Sequence, residues 1–105
     1  PDVAKLLLKS DYIFEVIDKS GRRIHLSRER WKHILRHKGI EQYLFQIRDT
    51  LIKPDLIIQH KFDVTMRNYY TLIKDKKRYL LVSVKYLNGE GYVATSFITR
   101  KIIRR

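Results

Sequence analysis

Four stretches in the second half of the chain, Leu56 to Phe62, Arg67 to Lys74, Arg78 to Tyr86 and Gly91 to Thr99, are dense in β-branched and aromatic residues and broken by turn formers. This pattern commits that half to strands. They are expected to form an antiparallel meander. Two turns are marked, Asp75-Lys76-Lys77 and Asn88-Gly89, the second suited to a two-residue turn with positive φ at both central residues. Such a turn predicts that Val84 faces Val93, Val82 faces Thr95 and Leu80 faces Phe97, with Lys85, Ser83 and Ser96 on the other side.

The first half reads differently. Asp11 to Asp18 alternates Tyr12, Phe14 and Val16 with Ile13, Glu15 and Ile17, and after Lys19-Ser20-Gly21 the run Arg22 to Leu26 resumes, which predicts a β-hairpin. Ser27 can accept an orphan backbone N–H, so a helix is expected from Arg28 to about His37, stopped by Gly39. A second helix should cover Glu41 to Ile52 and end at Lys53-Pro54, with Tyr43, Leu44, Ile47 and Leu51 as its apolar stripe. A short helix is expected around Val3 to Lys9. The expected fold is therefore α+β: an N-terminal β-hairpin, two helices, then a four-stranded antiparallel sheet on which the helices pack. The 105 residues suffice for one hydrophobic core, so a single basic domain over 1–105 is expected.

Charge limits the partners. The chain has 23 Lys+Arg against 11 Asp+Glu, a formal net charge of +12. Lys19, Arg22, Arg23, Arg28, Arg30, Lys32, Arg36 and Lys38 crowd one segment that holds Glu29 as its lone acid, and Arg100, Lys101, Arg104 and Arg105 crowd the tail. Polyanions are the natural partners, because each phosphate neutralised releases a condensed counterion. RNA, above all single-stranded RNA, and DNA fit, and an acidic antitoxin or immunity protein would be drawn by the same field. The absence of cysteine excludes a disulfide scaffold, a thiol nucleophile and cysteine-ligated metals. No apolar run approaches the roughly 20 residues of a membrane span, and no signal-peptide pattern is present, so no membrane partner and a cytoplasmic location are expected.

Three constellations could carry chemistry. On the first helix Arg30, His33 and His37 share one side at i, i+3 and i+7, where an imidazole can exchange a proton near neutral pH beside cations that hold a phosphate. His33 and His37 also have the i, i+4 spacing of a zinc-binding pair, but the Glu of such motifs is missing and Arg36 intrudes, so no metal and no cofactor is expected. His60 alternates with Leu56, Ile58 and Phe62 and reads as a hydrogen-bonded core or edge residue. The third group lies on the strands: Arg67, Tyr69, Tyr70, Lys85, Thr95, Ser96 and Thr99. Cleaving RNA through its own 2′-hydroxyl needs a base, an acid and cations on the phosphorane, and these residue types can hold, orient and stack on such a substrate.

The segments Ile24-His25-Leu26-Ser27-Arg28-Glu29-Arg30-Trp31-Lys32-His33-Ile34, Leu51-Ile52-Lys53-Pro54-Asp55, Arg67-Asn68-Tyr69-Tyr70, Tyr79 to Lys85 and Val93-Ala94-Thr95-Ser96-Phe97 together resemble the small phage- and mobile-element-associated nucleases of the Barnase–EndoU–colicin–RelE group. The resemblance implies helices on a four-stranded antiparallel sheet and a metal-independent ribonuclease of toxin or effector type that leaves a 2′,3′-cyclic phosphate. It implies His33 as general acid or base, with Arg30, Arg67 and Lys85 on the scissile phosphate and Tyr70 with Thr95 or Ser96 positioning it. Arg28, His37, Tyr69, Arg100 and Lys101 are the further RNA contacts expected. The other readings are a non-catalytic RNA- or DNA-binding module and a protein-binding domain for an acidic partner; histidine within the Arg30/His33 stripe favours the enzyme, since phosphate binding alone does not need it. If nucleic acid is the main partner, affinity for single-stranded RNA should fall steeply as salt rises, and a flat plot of log K against log salt would remove that partner.

Overall fold

The computed structural model describes residues 12–73 and 77–102. The helix expected around Val3 to Lys9 and most of the Asp75-Lys76-Lys77 turn lie outside them. The elements are β1 (Tyr12–Ile17), β2 (Arg23–Ser27), α1 (Arg28–Ile34), a 3₁₀ turn (Ile40–Tyr43), α2 (Leu44–Ile52), β3 (Leu56–Gln59), β4 (Met66–Ile73), β5 (Arg78–Tyr86) and β6 (Glu90–Thr99). Among the described residues no helix is long and apolar enough to cross a membrane.

The strands β3 to β6 pair antiparallel, but the expected separate four-stranded sheet does not form. One six-stranded mixed sheet takes its place, in the order β1-β2-β6-β5-β4-β3. The hairpin joins it because β2 pairs in parallel with β6 at Arg23, Ile24 and His25, opposite Glu90, Gly91 and Tyr92. Burial explains the junction: Ile24 and Leu26 become fully buried, and each such side chain is worth about 1.5–3 kcal/mol that a free-standing hairpin would forgo. The inner face of the sheet carries Ile24, Leu26, Tyr69, Leu80, Val82, Val84 and Val93, and Ile34, Ile40, Ile47 and Leu51 from the helical segment complete that core.

The helical segment is shorter than its sequence suggests. Ser27 caps α1, its Oγ accepting from the Arg30 N–H at 3.0 Å, but α1 stops at Ile34 instead of reaching His37. Beyond it the bonds close over three residues, Arg36 N–H to His33 C=O and His37 N–H to Ile34 C=O. The chain then turns through Gly39 in the left-handed region, φ +84°, and Ile40 joins Ile34 in the core, both buried.

The β5–β6 hairpin corrects the expected register. Val84 faces Val93 as the turn chemistry predicts, but Ser83 pairs with Thr95, so Ala94 is left as a one-residue bulge. From there every side chain of β6 changes face: Val82 meets Ser96 and Leu80 meets Ile98 on the inner face, while Thr95 and Phe97 turn outward with Ser83 and Leu81. The turn is not of the primed type either, since Gly89 has φ +74° and Asn88 does not share a positive φ.

A buried carboxylate ties the layers together. Asp18, in the β1–β2 turn, accepts from the Ser20 N–H, the Ser20 hydroxyl and the Arg22 N–H on Oδ1, and from the Tyr69 and Tyr86 hydroxyls at 2.9 and 2.7 Å on Oδ2. Burial alone would push this carboxyl up, but the Ser20 hydroxyl, the Tyr86 hydroxyl, the Arg22 N–H and the Tyr69 hydroxyl outweigh it and hold the group below the usual carboxylate range. Burial raises both tyrosine hydroxyls above their ordinary range, reinforced at Tyr69 by Tyr86 and Asp18 and at Tyr86 by Asp18. Replacing Asp18 by Ala should destabilise the domain by about 2–4 kcal/mol, since it removes a charged acceptor and strands buried donors. Urea unfolding checks this, and Tyr69→Phe should cost clearly less.

Candidate functional site

The outer face of the sheet, opposite α2, collects the chemistry. Pleat and register set out a row across the strands: Met66 beside Lys85, Lys85 beside Tyr92, Tyr92 beside His25, and His25 beside Glu15. The Tyr12 ring stacks on His25 with centroids 4.1 Å apart and planes 13° from parallel, and the Tyr92 ring follows at 6.2 Å. Arg30 reaches back from α1 to place its guanidinium 5.6 Å from the Tyr92 centroid. Lys85 is held by Asp63, Nζ to Oδ2 at 3.1 Å. The Tyr12–His25 stack and the tilted Tyr92 ring thus form an aromatic row that ends beside Arg30 and Lys85.

A second row, Asn68, Ser83 and Thr95, lies one pleat further along. With His60, Phe62, Leu81 and Phe97 it lines a mostly apolar cavity of about 390 Å³. His60 Nε2 lies 3.3 Å from the Asn68 Oδ1, so a titratable ring and an amide meet at its wall.

The residues singled out from sequence scatter over this framework. Lys85 and Thr95 share the outer face. Ser96 does not: it is fully buried on the inner face, and its hydroxyl donates to the Leu81 C=O at 2.7 Å. Arg67 is paired with Val84, one residue out of phase with Lys85, so the two cations project from opposite faces and cannot clasp one phosphate. Tyr69 is spent in the core on Asp18 and Tyr86. Tyr70 is on the outer side but fully buried, edge-on to Tyr79. His33 is exposed in a cleft with Glu29, Arg30, Lys32 and Arg36, and Arg28 is exposed at the start of α1. His37, its ring 5.4 Å from Phe97, meets Lys38, Arg78 and Arg100 around a basic cleft of about 380 Å³. Lys101 is exposed beyond β6, its N–H donating to the Thr99 hydroxyl.

His25, Tyr92 and Asp63 went unmarked in the sequence. The first two become a site only through the β2–β6 pairing, which joins residues 67 positions apart in the chain. Asp63 had a local signal: Asp-Val-Thr is an Asx-type turn, and Thr65 donates to Asp63 through both its N–H and its hydroxyl. Among the described residues no three His, Cys, Asp or Glu side chains gather as metal ligands would.

Thr65 and then Lys85 push the Asp63 carboxyl down to about 2. Because the folded form releases the proton more readily than the unfolded chain, the contribution of this pair is complete above the ordinary value of 3.8 and is lost as pH falls toward 2. NMR titration should find Asp63 ionised down to that range, and Lys85→Met should raise its midpoint.

A comparison with curated proteins finds no match, and one with solved structures finds none. A family model does match, over residues 10–105, nearly the whole chain. The chain belongs to the phage-Barnase-EndoU-ColicinE5/D-RelE like nuclease 2 family.

Proposed function

We propose that this domain is an endoribonuclease that binds unpaired RNA across the outer face and cleaves it through the 2′-hydroxyl without a metal. The observation that carries this reading is that the Arg30 guanidinium and the His25 imidazole both lie against the Tyr92 ring, whose cross-strand neighbour is Lys85. Such a set can bind a phosphodiester, move a proton and stack an exposed base. The 2′-oxygen attacks phosphorus and gives its proton to one imidazole. The P–O5′ bond breaks, the departing oxygen takes a proton from a second group, and the products are a 2′,3′-cyclic phosphate and a 5′-hydroxyl. Arg30 and Lys85 stabilise the charge on the phosphorane, and Thr95 hydrogen-bonds it.

His25 and His33 are the proton carriers in this scheme. His25 lies between the Tyr12 and Tyr92 rings, and His33 lies on the helical segment between Arg30 and His37, both of which contact β6 rings. The cavity between Phe62 and Phe97 takes a neighbouring base. Ser96 and Tyr69 have no part in it, since their hydroxyls serve the core.

Single-turnover cleavage of a fluorescent RNA in excess chelator tests the scheme. His25→Phe, which keeps a ring in the stack, and His33→Ala should each slow cleavage roughly 10²–10⁴-fold with little change in affinity. Lys85→Ala should weaken both affinity and rate, because a cation at the phosphate acts in the ground and transition states alike. Loss of wild-type cleavage in chelator, absence of cyclic-phosphate ends, or full activity in both histidine variants would each sink it.

A further inference from the structure

The inner side of the sheet ends in a second cationic cleft, away from Lys85. Arg22 and Arg67 each bring a guanidinium to the Tyr86 ring, with Cζ 4.6 and 5.2 Å from its centroid. Together with Val64, Thr65, Leu87, Asn88 and Gly89 they line a cleft of about 610 Å³. Two like charges on one ring repel, and neither guanidinium has a carboxylate ion-pair partner among the described residues. Asp18, an acid of the same network, is engaged by the Ser20 hydroxyl, the Ser20 and Arg22 backbone N–H groups and the two tyrosine hydroxyls, and makes no ion pair with either guanidinium. The planar donors of both arginines are therefore directed to something outside the protein, and two guanidiniums held by stacking are suited to phosphate oxygens.

We infer that this cleft binds the phosphodiester backbone of the nucleic-acid strand that flanks the bond held at Lys85. The inference rests on the nucleic-acid reading of the outer face. The path between the two places is short: only the β3–β4 loop intervenes. Thr65 lines the cleft and also braces Asp63, the partner of Lys85, and the Tyr86 N–H donates to the Thr65 C=O at 2.7 Å. The loop is thus held at Asp63 and Thr65, while Phe62 and Val64 stand 88% and 75% exposed. A strand leaving the outer face can turn round this rigid ridge, pass its apolar crest and reach Arg22 and Arg67.

Binding of 2′-O-methyl oligonucleotides, which lack the attacking hydroxyl, tests the cleft without cleavage. Probes of about four and about twelve nucleotides span the range that one such domain covers. Wild type should bind the longer probe more tightly, and Arg22→Ala/Arg67→Ala should lose that gain, about tenfold or more. Its plot of log K against log salt should be shallower by about 1.4, as each phosphate on a single strand contributes about 0.7. Arg22→Lys/Arg67→Lys, which keeps the charge and guards against misfolding, should keep most of the salt slope but lose part of the affinity. A folded double-alanine variant that binds both probes as wild type does overturns the inference, and so does an equal loss on both, which would place the arginines at the central site. Wild type that binds neither probe refutes instead the nucleic-acid reading on which it rests.

Discussion

The sheet depends on a single close approach at Gly91. There β6 is gripped on both edges, antiparallel by β5 at Tyr86 and parallel by β2 at Ile24. A Cβ on Gly91 would come to 2.6 Å from the Lys85 carbonyl oxygen and 3.0 Å from the Ile24 side chain, so any other residue forces backbone or core to shift. This contact converts a local hairpin and a separate meander into one six-stranded surface. It brings His25 beside Tyr92 and, through Tyr92, within reach of Lys85. The outer face exists as a continuous platform because two backbones can meet there.

The bulge at Ala94 then decides what the platform displays. Without it, Thr95 and Phe97 would pack into the core and Ser96 would face outward opposite Leu81. With it, Thr95 and Phe97 join the outer cavity, and Ser96 fills an inner position where its hydroxyl must be satisfied by the Leu81 carbonyl. One inserted residue therefore exchanges the polar groups of the two faces. Bulges are common beside active sites for this reason, since they re-aim side chains without altering strand order.

Polar groups inside the core do a different job. Asp18, Tyr69 and Tyr86 form a hydrogen-bonded knot joining the β1–β2 turn to β4 and β5, and the turn is further held to α2 by the Lys19 N–H on the Leu51 carbonyl at 2.8 Å. The Asp18 carboxylate is engaged by neutral hydroxyl and N–H donors, and Arg22 and Arg67 lie against the Tyr86 ring without an ion-pair partner among the described residues. Core satisfaction and surface charge are thus two sides of one network.

Much of the secondary structure was legible in the amino-acid order, because strand alternation, the Ser27 cap and the Asn88-Gly89 turn are local. So was the partner class, since a net charge of +12 acts through a long-range field whatever the fold. The resemblance to Barnase–EndoU–colicin–RelE nucleases was carried by short segments in order, and it agrees with the family match. The face each side chain occupies was not legible. Arg67, Tyr69 and Ser96 look like Lys85 and Thr95 in a list of polar strand residues, but a strand's period of two lets one bulge or one register step send them to opposite sides. The parallel β2–β6 pairing, and with it the place of His25, is settled by burial of Ile24 and Leu26 against residues far along the chain, and only tertiary packing can decide that.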